Sequence, residues 1–550
     1  MDTGSTPVIS TKEKTPKRVF LFFNITRGVE PKKGVGETCF PVAEILKPQG
    51  FRVENILNGR AVKLRSSPQK RKHPFGCFFV TMEYMKPKLI TTLLVGIAII
   101  SAIYFVAIKP KQQRNLIVFA FDGLQAKHLP AYGYDKDITP NLDKFLGDSY
   151  LDRNTVSPAS WTVPSFMSIF TSLYPSEHKV VNKMVEDVTG ATTSLVKANL
   201  KNLSPNAVTL AQILKQNGYA TAGFTGDAGI SAAFGHAQGF DTYYDKTTFG
   251  GLDTSVPMAK DWLSKNKDNK FFLFVHGYDV HGQYAPKEYD YRYVQKPYNG
   301  IYTGSTKEQG ILREQSLANH GLSLSAEDKA FWRAIYDEKI SRADAEFGDF
   351  MKYVDSLGIS DNTIIAVISD HGTEFFEHNG IDHGHTLYGE LLNTLFAIHA
   401  PGQTQPKTIT DLVSTLDLAP TVLSMLKIAP VEAMKGVNIS PSFSGTPVAH
   451  DVYSETDYRL YTHKRSITTV DGWKFIETME TGKKELYNLN TDPNEQANLS
   501  VKEGKIAYEL EQKLFAHLKA MNADKGPWIL GCSPVYADQC LPITKPTGKK

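Results

Sequence analysis

Three apolar runs in this chain stop abruptly at residues that carry chemistry, and that pattern limits the folds open to it. They are NLIVFAFDG (115–123), FFLFV (271–275) and TIIAVISDHG (363–372). Continuous apolar runs of this length mark parallel strands buried on both faces. Open α/β sheets bind ligands beyond the carboxyl ends of such strands. There the sequence places Asp122; then His276, Asp279 and His281; then Asp370 and His371. Helical patterns lie between the runs. Residues 207–223 read as an amphipathic helix stopped by Gly218 and followed by a strand, and residues 328–357 as a long helix. The long helix sets Tyr336, Ile340, Phe347, Phe350 and Val354 on its apolar side. This alternation predicts an α/β domain. A chain of 550 residues has room for one large α/β domain with a smaller appendage.

The stretch SPASWTVPSFMSIFTSLYP (157–175) reads as a loop that delivers one hydroxyl, Thr162, to the start of a helix. Pro164 suits a first helical turn, and Met167, Ile169, Phe170 and Leu173 supply a buried face. A helix N-terminus offers free N–H groups and a positive dipole end, which suit an anionic substrate. At the end of the third run, adjacent Asp370 and His371 supply one oxygen and one nitrogen ligand to a single divalent ion.

These segments together resemble the sulfatase family of the alkaline phosphatase superfamily. With Thr162 at the nucleophile position, Pro164, Ser165, Thr171, Tyr174 and Pro175 fall in register with the family's Cys/Ser-x-Pro-x-Arg and Thr-Gly-x-Tyr-Pro pattern. The resemblance extends to TPNLDKFLGDS (139–149), TLAQILKQNGYAT (209–221), the Ser-Asp-His-Gly at 369–372, IDHGHTLYGE (381–390) and ELYNLNTDPNEQANL (485–499). It covers about residues 113–520 and implies a mixed, mostly parallel sheet flanked by helices, with a small C-terminal α+β subdomain. It implies that His281 and His383 touch the transferred group, with His385 an extra neighbour of no clear counterpart. Three departures stand out. Thr162 replaces the Cys or Ser that becomes formylglycine, Phe166 replaces the arginine, and Gly123 replaces the second acid of the first strand.

The implied chemistry is hydrolysis of an anionic ester. Asp122, Asp370, His371 and the Thr162 hydroxyl would hold one divalent ion (Zn, Mn, Ca or Mg) that activates Thr162 for in-line attack. Asp279, His281, His383 and His385 would serve substrate or a second ion. Threonine lacks the aldehyde-hydrate exit of formylglycine sulfatases, so phosphate mono- or diesters are the first expectation. Sulfuric esters are the alternative, and phosphoryl transfer to envelope lipids or glycans a further one. A polyanion-binding pseudoenzyme is the reading least compatible with the retained ligand set.

Residues 1–88 carry 17 Lys/Arg against 7 Asp/Glu, and the remainder 44 against 51, so the bulk is mildly acidic and no nucleic-acid partner is expected. Leu89 to Ile108 is uncharged and apolar. Its length of about 30 Å as a helix, with the basic excess upstream, predicts a signal anchor over 86–109 and a catalytic domain on the extracytoplasmic side, periplasmic or extracellular. Residues 1–84 show no pattern, and Met85 or Met82 reads as the natural start. The expected organisation is an N-terminal extension (1–84), the anchor, a catalytic domain (113–402), its remainder with the C-terminal subdomain (403–520), and a tail (521–550). On export, Cys532 and Cys540 are expected to close a short disulfide loop.

Overall fold

The first apolar run becomes the strand β1 (Asn115–Phe121), buried along its length, because it lies near the middle of a sheet covered on both sides. The structure is a computed structural model. It describes residues 114–523 apart from 183, 190–191, 198–202, 228, 320 and 404, together with Arg65–Ser66 and Phe78–Phe79, which pair antiparallel with each other. The apolar run 89–108, most of the N-terminal extension and the two C-terminal cysteines lie outside the described residues. Among the described residues no helix is long and apolar enough to cross a membrane.

The other strands of the main sheet are β2 (Tyr150–Asp152), β3 (Ala220–Phe224), β4 (Thr242–Tyr244), β5 (Phe271–Gly277), β6 (Thr363–Ser369), β7 (Phe396–His399) and β8 (Lys407–Ile409). Their order across the sheet is β8-β2-β7-β6-β1-β5-β3-β4. Within it β7 alone runs against the rest, pairing antiparallel with β6 and β2. The sheet is therefore mixed and mostly parallel, as the sequence predicts. The three apolar runs are the neighbours β6, β1 and β5, paired parallel in register from Thr363↔Asn115 to Ser369↔Phe121 and from Phe272↔Leu116 to Gly277↔Phe121. Asp122 and Asp370 thus emerge side by side.

Period-two alternation along β1 sends its side chains into two cores. Ile117, Phe119 and Phe121 meet α1 (Pro140–Gly147), α4 (Leu252–Asn266) and α6 (Ala326–Ser356). Leu116, Val118 and Ala120 meet α2 (Thr162–Thr171), α3 (Leu210–Gln216) and α7 (Leu418–Leu426). Local signals start the helices. Thr209 and Gln212 form a reciprocal capping box before α3, and Ser325 accepts from Asp328 N ahead of α6. Gly218, at φ 80°, lets the chain turn from α3 toward β3. Residues 411–426 divide among three elements. Val413–Ser414 is a strand, Ser414 caps a 3-10 turn, and α7 begins only at Leu418.

Four antiparallel strands follow: β9 (Val452–Thr456), β10 (Lys464–Thr468), β11 (Trp473–Thr478) and β12 (Lys483–Asn488). Their Ile467, Phe475 and Leu486 pack on Ala507, Leu514 and Leu518 of α8 (Gly504–Ala520). This is the small α+β layer expected at the C-terminus. A further helix, α5 (Thr306–Asn319), belongs to the stretch 286–330 in which the sequence shows no pattern.

Candidate active site

Four segments converge at the carboxyl edge of β5, β1 and β6. Asp122 leaves β1, and the next residue, Gly123, takes φ 73°, which turns the chain away so that the Gly123 N–H meets Asp370 Oδ1 at 3.1 Å. Thr162 opens α2, as the sequence predicts, with Trp161 as the cap. Its Oγ1 lies 3.3 Å from Asp122 Oδ1 and 3.3 Å from His371 Nε2. Ser165, one turn on, donates to the Asp370 carbonyl at 2.7 Å and so pins α2 to the end of β6.

The donor set fits a divalent cation. One oxygen or nitrogen from each of Asp122, Asp370 and His371 lies within 4.8 Å of the others. Asp370 Oδ2 is buried with no hydrogen bond among the described residues and lies 3.4 Å from His371 Nε2. His371 donates its Nδ1–H to the Gly372 carbonyl at 2.7 Å, which leaves Nε2 bare and turned inward. Burial and the adjacent Asp122 carboxylate push the Asp370 carboxyl up to about 7, the cost of two acids facing one another in a dry site. A bound cation would remove that cost.

His281 and His383 stand beside this group, their rings 4.7 Å apart, and with His371 they form a second cluster. Their polar neighbours distinguish them. His281 Nδ1 accepts from the Gln283 N–H at 3.3 Å, so its proton sits on Nε2, which faces Asp122 Oδ1 at 3.7 Å. His383 Nδ1 lies against Asp382 Oδ1, so its Nε2 is bare. Burial pushes the imidazolium forms of both down, His281 well below the usual range and His383 to about 4. Both rings are neutral at neutral pH.

Two residues expected near the reaction centre stand elsewhere. Asp279 Oδ2 accepts from Leu252 N at 2.8 Å and holds the first turn of α4, a carboxylate at a helix N-terminus. His385 Nε2 lies 2.8 Å from Glu374 Oε2. Neither belongs to the two groups that could hold an ion among the described residues.

One functional contact escaped the sequence reading. His276, inside β5, lies 3.1 Å from Asp122 Oδ2 through Nε2. Gly226 N–H donates to its Nδ1 at 3.3 Å, so the Nε2 proton points at the carboxylate. Phe166 packs edge-on against the His276 ring at 5.0 Å. The residue in the family's arginine position is thus an apolar support, fully buried. Lys339 of α6 donates to the His281 carbonyl at 3.1 Å, and burial, opposed by Asp382 and Asp279, lowers its ammonium to about 7.

A family model described as Sulfatase matches residues 114–428, and one described as N-sulphoglucosamine sulphohydrolase, C-terminal, matches 377–524. A Delta 4,5-hexuronate-2-O-sulfatase from Bacteroides thetaiotaomicron is 21% identical over 425 residues, covering 72% of this chain and 86% of its own. A solved 2-O GAG sulfatase superposes with a TM-score of 0.61 at 21% identity, covering 75% of this chain and 93% of that one. The phosphonate monoester hydrolase of Agrobacterium radiobacter superposes with a TM-score of 0.57 at 17% identity, covering 74% and 96%. At these identities the superpositions establish the fold.

Proposed function

The chain belongs to the sulfatase family, an ester hydrolase group of the alkaline phosphatase superfamily, and from that premise we propose that it hydrolyses a sulfuric ester on a saccharide. The named relatives carry the choice of ester. The 2-O-sulfatase matches along 86% of its length, and this weight reverses the order expected from sequence, where phosphate came first. Asp122, Asp370 and His371, with the Thr162 hydroxyl, would hold a divalent ion. When bound, that ion would polarise the ester and lower the pKa of the Thr162 hydroxyl.

The protein's own groups divide the remaining work. Thr162 Oγ1 donates to Asp122 Oδ1, which orients its lone pairs away from Asp122 and toward the incoming ester. The Oγ–S bond forms as the ester S–O bond breaks; the Thr162 proton passes to Asp122 Oδ1, the His281 Nε2–H protonates the departing sugar oxygen, and Asp122 returns the proton to His281 Nε2, 3.7 Å away. His383, with Nε2 bare, accepts a proton from the water that then displaces Thr162 from sulfur and gives it to the departing Oγ1, which restores the hydroxyl; the hydrogen sulfate released loses its proton to solvent. Near-complete burial of Thr162, His281 and His383 keeps other water out of the first step.

A second reading, hydrolysis of a phosphate or phosphonate ester, is favoured by two observations. The nucleophile is a threonine, which has no aldehyde-hydrate route for expelling sulfate, and a phosphonate monoester hydrolase shares the fold. The test is the full chain supplied with Zn, Mn, Mg or Ca and assayed on nitrophenyl sulfate, nitrophenyl phosphate and bis-nitrophenyl phosphate. Sulfate turnover that Thr162→Ala lowers by at least about 10³-fold is the expected outcome. Phosphoester turnover lost in the same variant would install the second reading. Turnover surviving Thr162→Ala would remove the nucleophile assignment.

The uncharged run 89–108 and its basic flank support anchoring of the active domain on the extracytoplasmic face of a membrane. Release of the native chain by detergent but not by high salt is the expected result.

A further inference from the structure

Arg313, from a stretch in which the sequence shows no pattern, meets Asp382, the residue before His383. Asp382 is a non-glycine residue at φ 82°, in the left-handed region, and it is buried at 1% exposure. Such a conformation persists only where its surroundings require it, and it collects at functional sites. Here it folds the Asp382 carboxylate back over the ring of the next residue, so that Oδ1 lies against His383 Nδ1. The other oxygen, Oδ2, accepts from the Arg313 guanidinium at 3.5 Å. Arg313 comes from α5, and its neighbour Glu314 ties it down, accepting from Arg313 at 3.0 Å and from Arg459 at 2.7 Å. Space for the carboxylate is kept by Gly282, where a Cβ would stand 3.0 Å from Asp382 Oδ2.

We propose that Asp382 is the positioning residue of the hydrolytic step, holding the His383 proton on Nδ1 so that Nε2 faces the reaction centre bare, and that Arg313 sets which way Asp382 serves it. This rests on the reading of His383 as the group that accepts the water proton. The two partners make a directional prediction. In Asp382→Asn the guanidinium demands an acceptor, so the amide oxygen turns to Arg313 and the amide N–H₂ faces His383. An N–H₂ cannot accept the Nδ1 proton, so the ring changes tautomer and Nε2 becomes a donor.

The kinetic test is a double-mutant cycle on the full chain with the nitrophenyl ester it turns over. Asp382→Asn is expected to lower kcat about 10- to 100-fold. In a His383→Gln background the same change should have an effect close to one-fold, because Asp382 acts through that ring. Full additivity of the two losses would overturn the proposal. If Asp382→Asn fails to fold, Arg313→Gln carries the same cycle with a smaller expected loss, and additivity there has the same meaning.

A second arm does not depend on turnover. Protein labelled with ¹⁵N-histidine, with the His383 signals assigned from His383→Gln, should show a bare Nε2 and a protonated Nδ1 in the wild type. The pattern should be exchanged in Asp382→Asn. A protonated Nε2 in the wild type would defeat the positioning role whether or not any ester is hydrolysed. A correct tautomer with no turnover of any ester would instead place the failure in the proposed activity.

Discussion

His276 shows how far a single ring controls this site. One nitrogen takes the Gly226 N–H and the other gives its proton to Asp122 Oδ2, so the carboxylate is oriented from behind before any ligand arrives. Burial lowers its imidazolium to about 3, which keeps the ring neutral and the donor direction constant across the working range. His276→Phe fills similar space and removes the donor. Affinity for the divalent ion should fall about 10- to 100-fold, read by titration against a chromophoric chelator, with the melting temperature little changed. An unaltered ion affinity would mean that Asp122 is held by its other contacts alone.

Elements place these residues, and α6 carries the largest share of one core. Phe347 is fully buried and meets Phe119 of β1 edge-on at 5.1 Å and Phe145 of α1 at 5.5 Å. Phe347→Ala should cost about 3–5 kcal/mol, visible as a shift in the denaturant midpoint. α6 was legible in the sequence because its apolar positions recur at the helical period over many turns, and β1, β5 and β6 because their apolar runs end at polar residues. Asp122, Thr162, Asp370 and His371 were legible because strand ends and a helix start are positions that sequence alone can locate. His276 was legible as a strand-end residue but its partner was not, since an inward histidine carries no sign of what it meets. The contact of Asp279 with the first turn of α4 was not legible, because a carboxylate just past a strand serves a helix N-terminus as readily as a cation, and only the course of α4 decides. Arg313 and Lys339 reach the site from segments far from its motifs in sequence, where no spacing rule applies.

At the scale of the whole molecule, His450 joins the turn before α7 to the first strand of the C-terminal sheet. Its Nε2 lies 2.7 Å from Asp417 Oδ2 and its Nδ1 3.0 Å from the Asp451 carbonyl, so both nitrogens face acceptors. Burial alone would lower the imidazolium, but Asp417 and the Asp451 carbonyl overcome it and raise the pKa above the usual 6.5. A group raised on folding stabilises fully below its unfolded pKa, and that contribution fades as pH climbs through the folded value. The melting temperature should therefore decline with pH above about 6.5, and His450→Gln should flatten that decline. A wild-type slope retained by the variant would exclude His450 as its source. Ion binding acts on the same global equilibrium. A divalent ion at about 100 times its Kd should add about 2.7 kcal/mol to the stability of the chelator-treated protein, and Asp370→Asn should abolish that gain. Calorimetry with and without the ion measures both.

The parallel pairing of β1 with β6, Phe121 opposite Ser369, has a consequence for how such a chain can diverge. Asp122 and Asp370 are mounted on adjacent rungs of one hydrogen-bonded lattice, so their separation is inherited from the repeat between strands, about 4.8 Å. Loops can lengthen, shorten or change composition without altering that gauge. A change in the segments that reach the substrate therefore leaves the spacing of these two carboxylates as it was.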